Sequence, residues 1–234
     1  MLQVFHGIME ITFYGHSCFS LKLAGKTLLF DPFISGNALA KDISLDSICA
    51  DYILVSHGHS DHLADLVYLA KKNNAVLIAV FEICNWAKTQ GVTQVYPMNI
   101  GGQKLFDFGA VSMTYALHSS SFEDGSYAGI AAGFVIEANG ETLYYSGDTA
   151  LSQEMKLIGE KYKIDIALLP IGGNFTMDAN DAALAANFVN CNRVIALHYD
   201  TFPLIAIEKD AALAAFKNRN IALSFVKIGD TITV

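Results

Sequence analysis

Ser56-His57-Gly58-His59-Ser60-Asp61-His62 crowds four side chains of metal-ligand type into six positions, directly after the apolar run Tyr52 to Val55 and ahead of a stretch with helical spacing. In an extended chain alternate residues point to the same side, so His57 and His59 can present both imidazoles to one cation. Asp61 and His62 fall where the chain turns into the helix and can reach a second. Neutral imidazole combined with carboxylate suits a borderline divalent ion such as zinc, with manganese or iron as alternatives. Seven histidines in 234 residues would rarely place three within six positions by chance, and Gly58 and Ser60 leave the ligands uncrowded.

Outward from this segment, short alternating or β-branched runs predict strands at Ile11 to Tyr14, Cys18 to Leu23, Thr27 to Phe30 and Tyr52 to Val55. Gly25 suits a hairpin across Lys22 to Lys26. Helical spacing predicts helices over Asp61 to Lys72, with Leu63, Leu66, Val67 and Ala70 on one face, and over Phe81 to Gln90. The second half repeats the order. Strands are expected at Ser112 to Ala116, Gly129 to Glu137 and Thr142 to Tyr145, the last two joined by an Asn139-Gly140 turn. Helices at Gln153 to Tyr162, Asn180 to Val189 and Lys209 to Asn218 alternate with buried strands Ile164 to Leu169 and Arg193 to Leu197. Two strand-then-helix halves imply an α/β protein in which two sheets pack face to face with helices outside, a four-layer αββα sandwich. With no linker, repeat or low-complexity tract, residues 1–234 are expected to form one domain.

Composition excludes several classes. With 53% hydrophobic and 16% charged residues, the chain has ample material for a core. Mean hydropathy is +0.36, yet no apolar run of about 18 residues offers a membrane span. The start of the chain lacks the basic and apolar regions of a secretory signal, which points to the cytoplasm. A formal charge of -8 with two arginines, Arg193 and Arg219, argues against nucleic acid as a partner and for a small-molecule substrate; homo-oligomerisation is left open. Cys18, Cys49, Cys84 and Cys191 lie far apart and read as buried thiols. Phosphate-loop and dinucleotide motifs are missing, as is Gly-x-Ser-x-Gly. The aromatics, Trp86 included, read as core.

The His-x-His-x-Asp-His segment resembles the signature of the metallo-β-lactamase superfamily, and the likeness continues through His118, through Asp148 in Ser146-Gly147-Asp148-Thr149, and through His198 in Ile195-Ala196-Leu197-His198. Asp31, in Leu29-Phe30-Asp31-Pro32, matches an earlier aspartate at a strand end. Tyr14-Gly15-His16-Ser17-Cys18-Phe19 and Pro170-Ile171-Gly172-Gly173-Asn174-Phe175-Thr176-Met177 resemble a branch of small metal-dependent hydrolases related to ascorbate-6-phosphate lactonase. The resemblance implies the metallo-β-lactamase fold and a binuclear site with two divalent metal ions, zinc first and manganese or iron as alternatives. His57, His59 and His118 would hold one ion, Asp61, His62 and His198 the other, and Asp148 would bridge them. Asp31 would orient a ligand from behind.

Such a site implies a hydrolase that attacks an ester, lactone or phosphodiester bond of a small molecule with water activated by metal; the alternative is a nuclease or phosphodiesterase acting on nucleic acid. Asp61 and Asp148 are the candidate proton carriers, and His16, the third catalytic candidate, belongs either to the substrate pocket or behind the metal ligands. The ligand assignment leaves His6 and His16 unbound. Ser119 to Tyr127, small, polar and carrying Phe122 and Tyr127, suits a mobile flap beside His118.

Overall fold

A computed structural model describes residues 9–234. In chain order its strands are β1 (Glu10–Gly15), β2 (Cys18–Leu23), β3 (Lys26–Phe30), β4 (Tyr52–Leu54), β5 (Val76–Val80), β6 (Val95–Met98), β7 (Gln103–Phe106), β8 (Gly109–Tyr115), β9 (Ala132–Ala138), β10 (Glu141–Tyr145), β11 (Ile166–Pro170), β12 (Arg193–Leu197), β13 (Ala222–Ser224) and β14 (Thr231–Thr233). The helices are α1 (Ser60–Leu63), α2 (Leu66–Asn73), α3 (Phe81–Thr89), α4 (Glu154–Lys161), α5 (Ala179–Phe188) and α6 (Lys209–Lys217).

The strands form two seven-stranded sheets, ordered β14-β1-β2-β3-β4-β5-β6 and β13-β12-β11-β10-β9-β8-β7. Both are mixed. β1 to β3 are antiparallel neighbours and β3 to β6 parallel ones; in the second sheet β7 to β10 run antiparallel and β10 to β13 parallel. The chain's last strand, β14, returns to the first sheet and pairs antiparallel with β1. Helices cover the outer faces, giving the expected four-layer αββα sandwich.

The inner core is aromatic. Phe19 stacks on Phe30 at 4.4 Å, and Tyr145 from the other sheet meets them edge-on at 5.2 and 5.7 Å. Such contacts add to the area these rings bury. On the far side of the second sheet, Ala182, Ala183, Ala185 and Ala186 of α5, small residues that allow close helix–sheet packing, share one buried cluster with Leu169 and Val194. Its N-cap, Asp178, accepts from the backbone N–H groups of Asn180 and Asp181 at 2.8 and 2.9 Å.

The local expectations need four corrections. The helix expected over Asp61 to Lys72 is two helices. Asp65 breaks it, because its buried carboxylate is taken by the backbone N–H groups of Ile34 (2.6 Å) and Ser35 (2.9 Å) and by the Ser35 hydroxyl. β5 and β6 were not anticipated: β5 is a buried parallel strand without alternation, and β6 carries Pro97 at the sheet edge. The short strands β7, β13 and β14 also escaped pattern reading. Gly129 does not begin β9: at φ +86° a Cβ there would meet Val80 and Glu82 at 2.7 Å. The hairpin before Lys26 uses Ala24 (φ 47°) as well as Gly25 (φ 75°) in the left-handed region, and Asn139-Gly140 does the same between β9 and β10.

Candidate metal centre

Every candidate site residue follows the end of a strand, and these ends share one rim. His16 comes after β1, Asp31 after β3, the His57 to His62 segment after β4, His118 after β8, Asp148 after β10 and His198 after β12. Three of them, His16 (φ 57°), Asp31 (φ 41°) and His198 (φ 54°), lie in the left-handed region that residues with a Cβ rarely adopt. Backbone held in this way is typical of sites that the surrounding structure over-determines. Gly147, at φ +62°, lets Asp148 approach; a Cβ there would fall 2.3 Å from the Ala132 carbonyl oxygen.

The side chains converge in two groups at the rim whose potential ligand atoms lie within 4.8 Å of one another, His57, His59 and His118, and His16, Asp61, His62 and His198; a third group, Asp31, His57 and His62, overlaps both from behind. His57 Nε2 and His59 Nδ1 are 2.9 Å apart. Asp148 sits between the groups, its Oδ2 2.9 Å from His198 Nε2, 3.3 Å from His62 Nε2 and 3.9 Å from His118 Nε2. His16 Nε2 reaches Asp61 Oδ2 at 3.1 Å, and its Nδ1 lies 2.9 Å from Thr201 Oγ1. The grouping places His16 nearer the second cluster than sequence reasoning did. His6 lies outside the described residues.

Asp31 stands behind the cluster. Its Oδ2 accepts from the Ser56 hydroxyl at 2.5 Å and the Tyr145 hydroxyl at 2.5 Å and lies 2.7 Å from His62 Nδ1, while its Oδ1 accepts the Ser56 N–H at 2.7 Å. Its carboxylate fixes the ring of His62 and leaves Nε2 facing Asp148. Ser56, Tyr145 and Thr201 escaped sequence reading because single hydroxyls carry no spacing signal.

Electrostatics fits a cation here. Burial holds His57 well below the ordinary imidazole value and lowers His59 and His118 as well, outweighing the neighbouring carboxylates, a direction that favours the neutral ring a metal ion requires. Burial also pushes His16 down to about 4, despite its hydrogen bond to Asp61. At His62 burial is outweighed by the carboxylates of Asp148 and Asp31, which raise its pKa, a sign that this point favours positive charge. Burial would raise Asp148, but His198 and His62 hold it well below the carboxylate range. Asp61 is likewise lowered against burial by His16 and His62. His62 Nε2, His198 Nδ1 and Asp148 Oδ1 are buried without a hydrogen-bond partner; His62 Nε2 approaches the other oxygen of Asp148, Oδ2, at 3.3 Å. Orphan polar atoms of this kind cost about 1–3 kcal/mol each; a divalent cation coordinated by imidazole and carboxylate is the partner their chemistry fits.

The segment Ser119 to Tyr127 is a small hairpin docked on the metal-ligand loop. Ser121 pairs with Tyr127, Phe122 N–H donates to Ser126 O at 2.9 Å, and the Ser120 hydroxyl accepts from Gly58 N–H at 3.2 Å. Ser119 Oγ lies 3.4 Å from His59 Nε2. Trp86, expected in the core, packs against it only in part and stacks on Phe122 at 4.9 Å. Of the cysteines, Cys18, Cys84 and Cys191 are buried, but Cys49 is exposed, against expectation. Among the described residues no helix is long and apolar enough to cross a membrane.

Known proteins share this chain's sequence and fold. A family model described as a Beta-lactamase superfamily domain matches residues 10–198. A UPF0173 metal-dependent hydrolase of Methylacidiphilum infernorum is 48% identical over 224 residues, 96% of this chain and 99% of the relative; one from Bacillus cereus strain B4264 is 45% identical over 231 residues, covering 97% and 100%. The structure of Igni18, a metallo hydrolase from the archaeon Ignicoccus hospitalis, superposes with a TM-score of 0.87 at 32% identity, covering 97% of this chain and 98% of that one. The match in sequence over nearly the whole length, joined to the cluster of histidines and aspartates on the sandwich rim, places the chain in the metallo-β-lactamase superfamily, as a member of the UPF0173 metal-dependent hydrolase family.

Proposed function

We propose that this hydrolase cleaves an ester, lactone or phosphodiester bond of a small molecule at a site for two divalent ions, zinc first and manganese or iron as alternatives. His57, His59 and His118 would hold one ion, Asp61, His62 and His198 the other, with Asp148 shared. The observation that carries this reading is the position of Asp148 Oδ2 within 2.9–3.9 Å of three histidines drawn from both groups. When bound, such a pair supplies Lewis acidity and makes water acidic enough to react near neutral pH.

The chain's own residues do the rest. Asp148 is a buried carboxylate that offsets the repulsion of two dications. Asp61, whose side chain is 27% exposed, is placed to carry a proton towards the departing oxygen. His16 is held by Thr201 and in turn fixes Asp61. Small-molecule substrates are favoured over nucleic acid because Arg193 opens β12 at the end opposite His198 and Arg219 lines a cavity with it at that far end, so neither arginine stands on the rim for a phosphate backbone.

The test is a panel of esters, lactones and phosphodiesters, with RNA and single-stranded DNA beside it, run on zinc- and manganese-loaded protein and on Asp148→Ala. Turnover of a small-molecule substrate that is lost in Asp148→Ala supports the reading; turnover of nucleic acid alone overturns it.

A further inference from the structure

A cavity of about 670 Å³ opens beside the metal-ligand loop. One wall is the helical stripe Ser60, Leu63, Ala64 and Val67, whose first member stands between His59 and Asp61; the other is Trp86 stacked on Phe122. Glu123 and Asp124, both exposed, are the charged residues that line it. Asp124 is fixed there, its Oδ1 accepting the N–H and hydroxyl of Ser126 at 2.9 and 2.6 Å. The same hairpin contacts Gly58 and His59, so cavity and metal cluster share both of their supporting loops.

We propose that this cavity is a substrate subsite for an alkyl or aryl group bearing an ammonium head, which makes cationic amphiphilic esters or lactones the substrate class; this rests on the hydrolytic reading above. Leu63, Val67 and the two rings suit the apolar part, and the volume lies in the range of small-molecule pockets. Aromatic faces attract cations, and two carboxylates with no lining cation favour a positive head over a negative one. A second cavity, of about 340 Å³ behind His16, is lined by Lys209 and Lys227. Lys209 is already engaged there, 3.5 Å from Asp200 and over the rings of Tyr199 and Phe225.

Trp86 is the single tryptophan of the chain, so its fluorescence reports occupancy without any turnover. Zinc-loaded protein is titrated with hexyltrimethylammonium, 1-hexanol and hexanesulfonate. The expected order of affinity is ammonium, alcohol, sulfonate, with at least tenfold between the extremes and about a fourfold gain per added methylene in the ammonium series. Ala64→Phe, which fills the cavity, should abolish the response, and circular dichroism checks its fold. Glu123→Gln should weaken the ammonium several-fold and leave the alcohol unchanged. With a hydrolysable ester in hand, the ammonium should inhibit competitively in the wild type and not in Ala64→Phe. Equal affinity for all three probes, tighter sulfonate binding, or non-competitive inhibition overturns the proposal. Failure of every hydrolysis assay with the fluorescence order intact overturns the catalytic reading instead.

Discussion

Asp31 Oδ2 lies 2.7 Å from His62 Nδ1, joining the end of β3 to the helix that carries the second half of the metal-ligand motif. Because the same oxygen also takes the Ser56 and Tyr145 hydroxyls, Asp31→Asn would set an amide N–H against donors or break the set. Groups that orient a ligand from behind typically change metal affinity or activity about 10- to 100-fold. Asp31→Asn should therefore lower metal affinity within that range, measured by competition with a chelating dye. Tyr145→Phe, which removes one hydrogen bond, should cost about 1 kcal/mol of stability and leave metal content unchanged.

Metal loading should give about two divalent ions per chain, by the ligand chemistry of the two groups. His57→Ala, His59→Ala and Asp148→Ala should each lose activity while retaining the fold by circular dichroism. Removal of the ions by chelation should lower the melting temperature, since a ligand at a hundred times its Kd adds about 2.7 kcal/mol to the folded state. Plasma emission spectrometry and calorimetry on the same samples check both; well under one ion per chain after loading contradicts the dinuclear site.

Gly147→Ala puts a Cβ 2.3 Å from the Ala132 carbonyl oxygen and 3.0 Å from Ser56 Cβ. It should cost about 2 kcal/mol or more and reduce activity, because Asp148 must move with it. Gly125, also left-handed at φ +80°, has nothing within 4 Å of its added Cβ, so Gly125→Ala should cost only about 1 kcal/mol, the backbone penalty alone. Urea denaturation of the pair separates steric contact from conformational cost.

Far from the rim, Tyr52 donates its phenol to Asp107 Oδ1 at 2.7 Å, and burial together with that carboxylate pushes its pKa up to about 12 from 10.0. A folded-state pKa above the unfolded one gives stability that is complete below the unfolded value and is lost as pH rises through the folded value. The urea midpoint of the wild type should fall between pH 10 and 12 more steeply than that of Tyr52→Phe. Parallel curves for the two proteins contradict the assignment.

Much of the site was legible because its chemistry is local and spaced. His57, His59, Asp61 and His62 stand within six positions, and His118, Asp148 and His198 each follow a β-type run. The rest depends on geometry that residue patterns do not carry. Nothing in the sequence announces the left-handed backbone of His16, Asp31 and His198. Asp65 looks like an ordinary helix residue until the backbone of Ile34 and Ser35 claims its carboxylate. Trp86 has the spacing of a core residue, and only the stacking of Phe122 from a distant loop exposes its role as a cavity wall. β5 lacks alternation because both of its faces are covered, so period alone could not separate it from a helix.

The return of β14 to β1 bears on how the protein is made. A ribosome delivers the chain from its N-terminal end, so the first sheet, which carries Asp31 and the His57 to His62 segment, stays one strand short until Thr231–Thr233 has emerged. His198 arrives late as well, and its N–H must then bond back to the carbonyl of His16 at 2.8 Å. Pairings across such sequence separations are slow to form. The rim therefore cannot be completed until β12 has emerged, and a nascent chain halted before it would carry the histidine motif without the partner that His198 supplies.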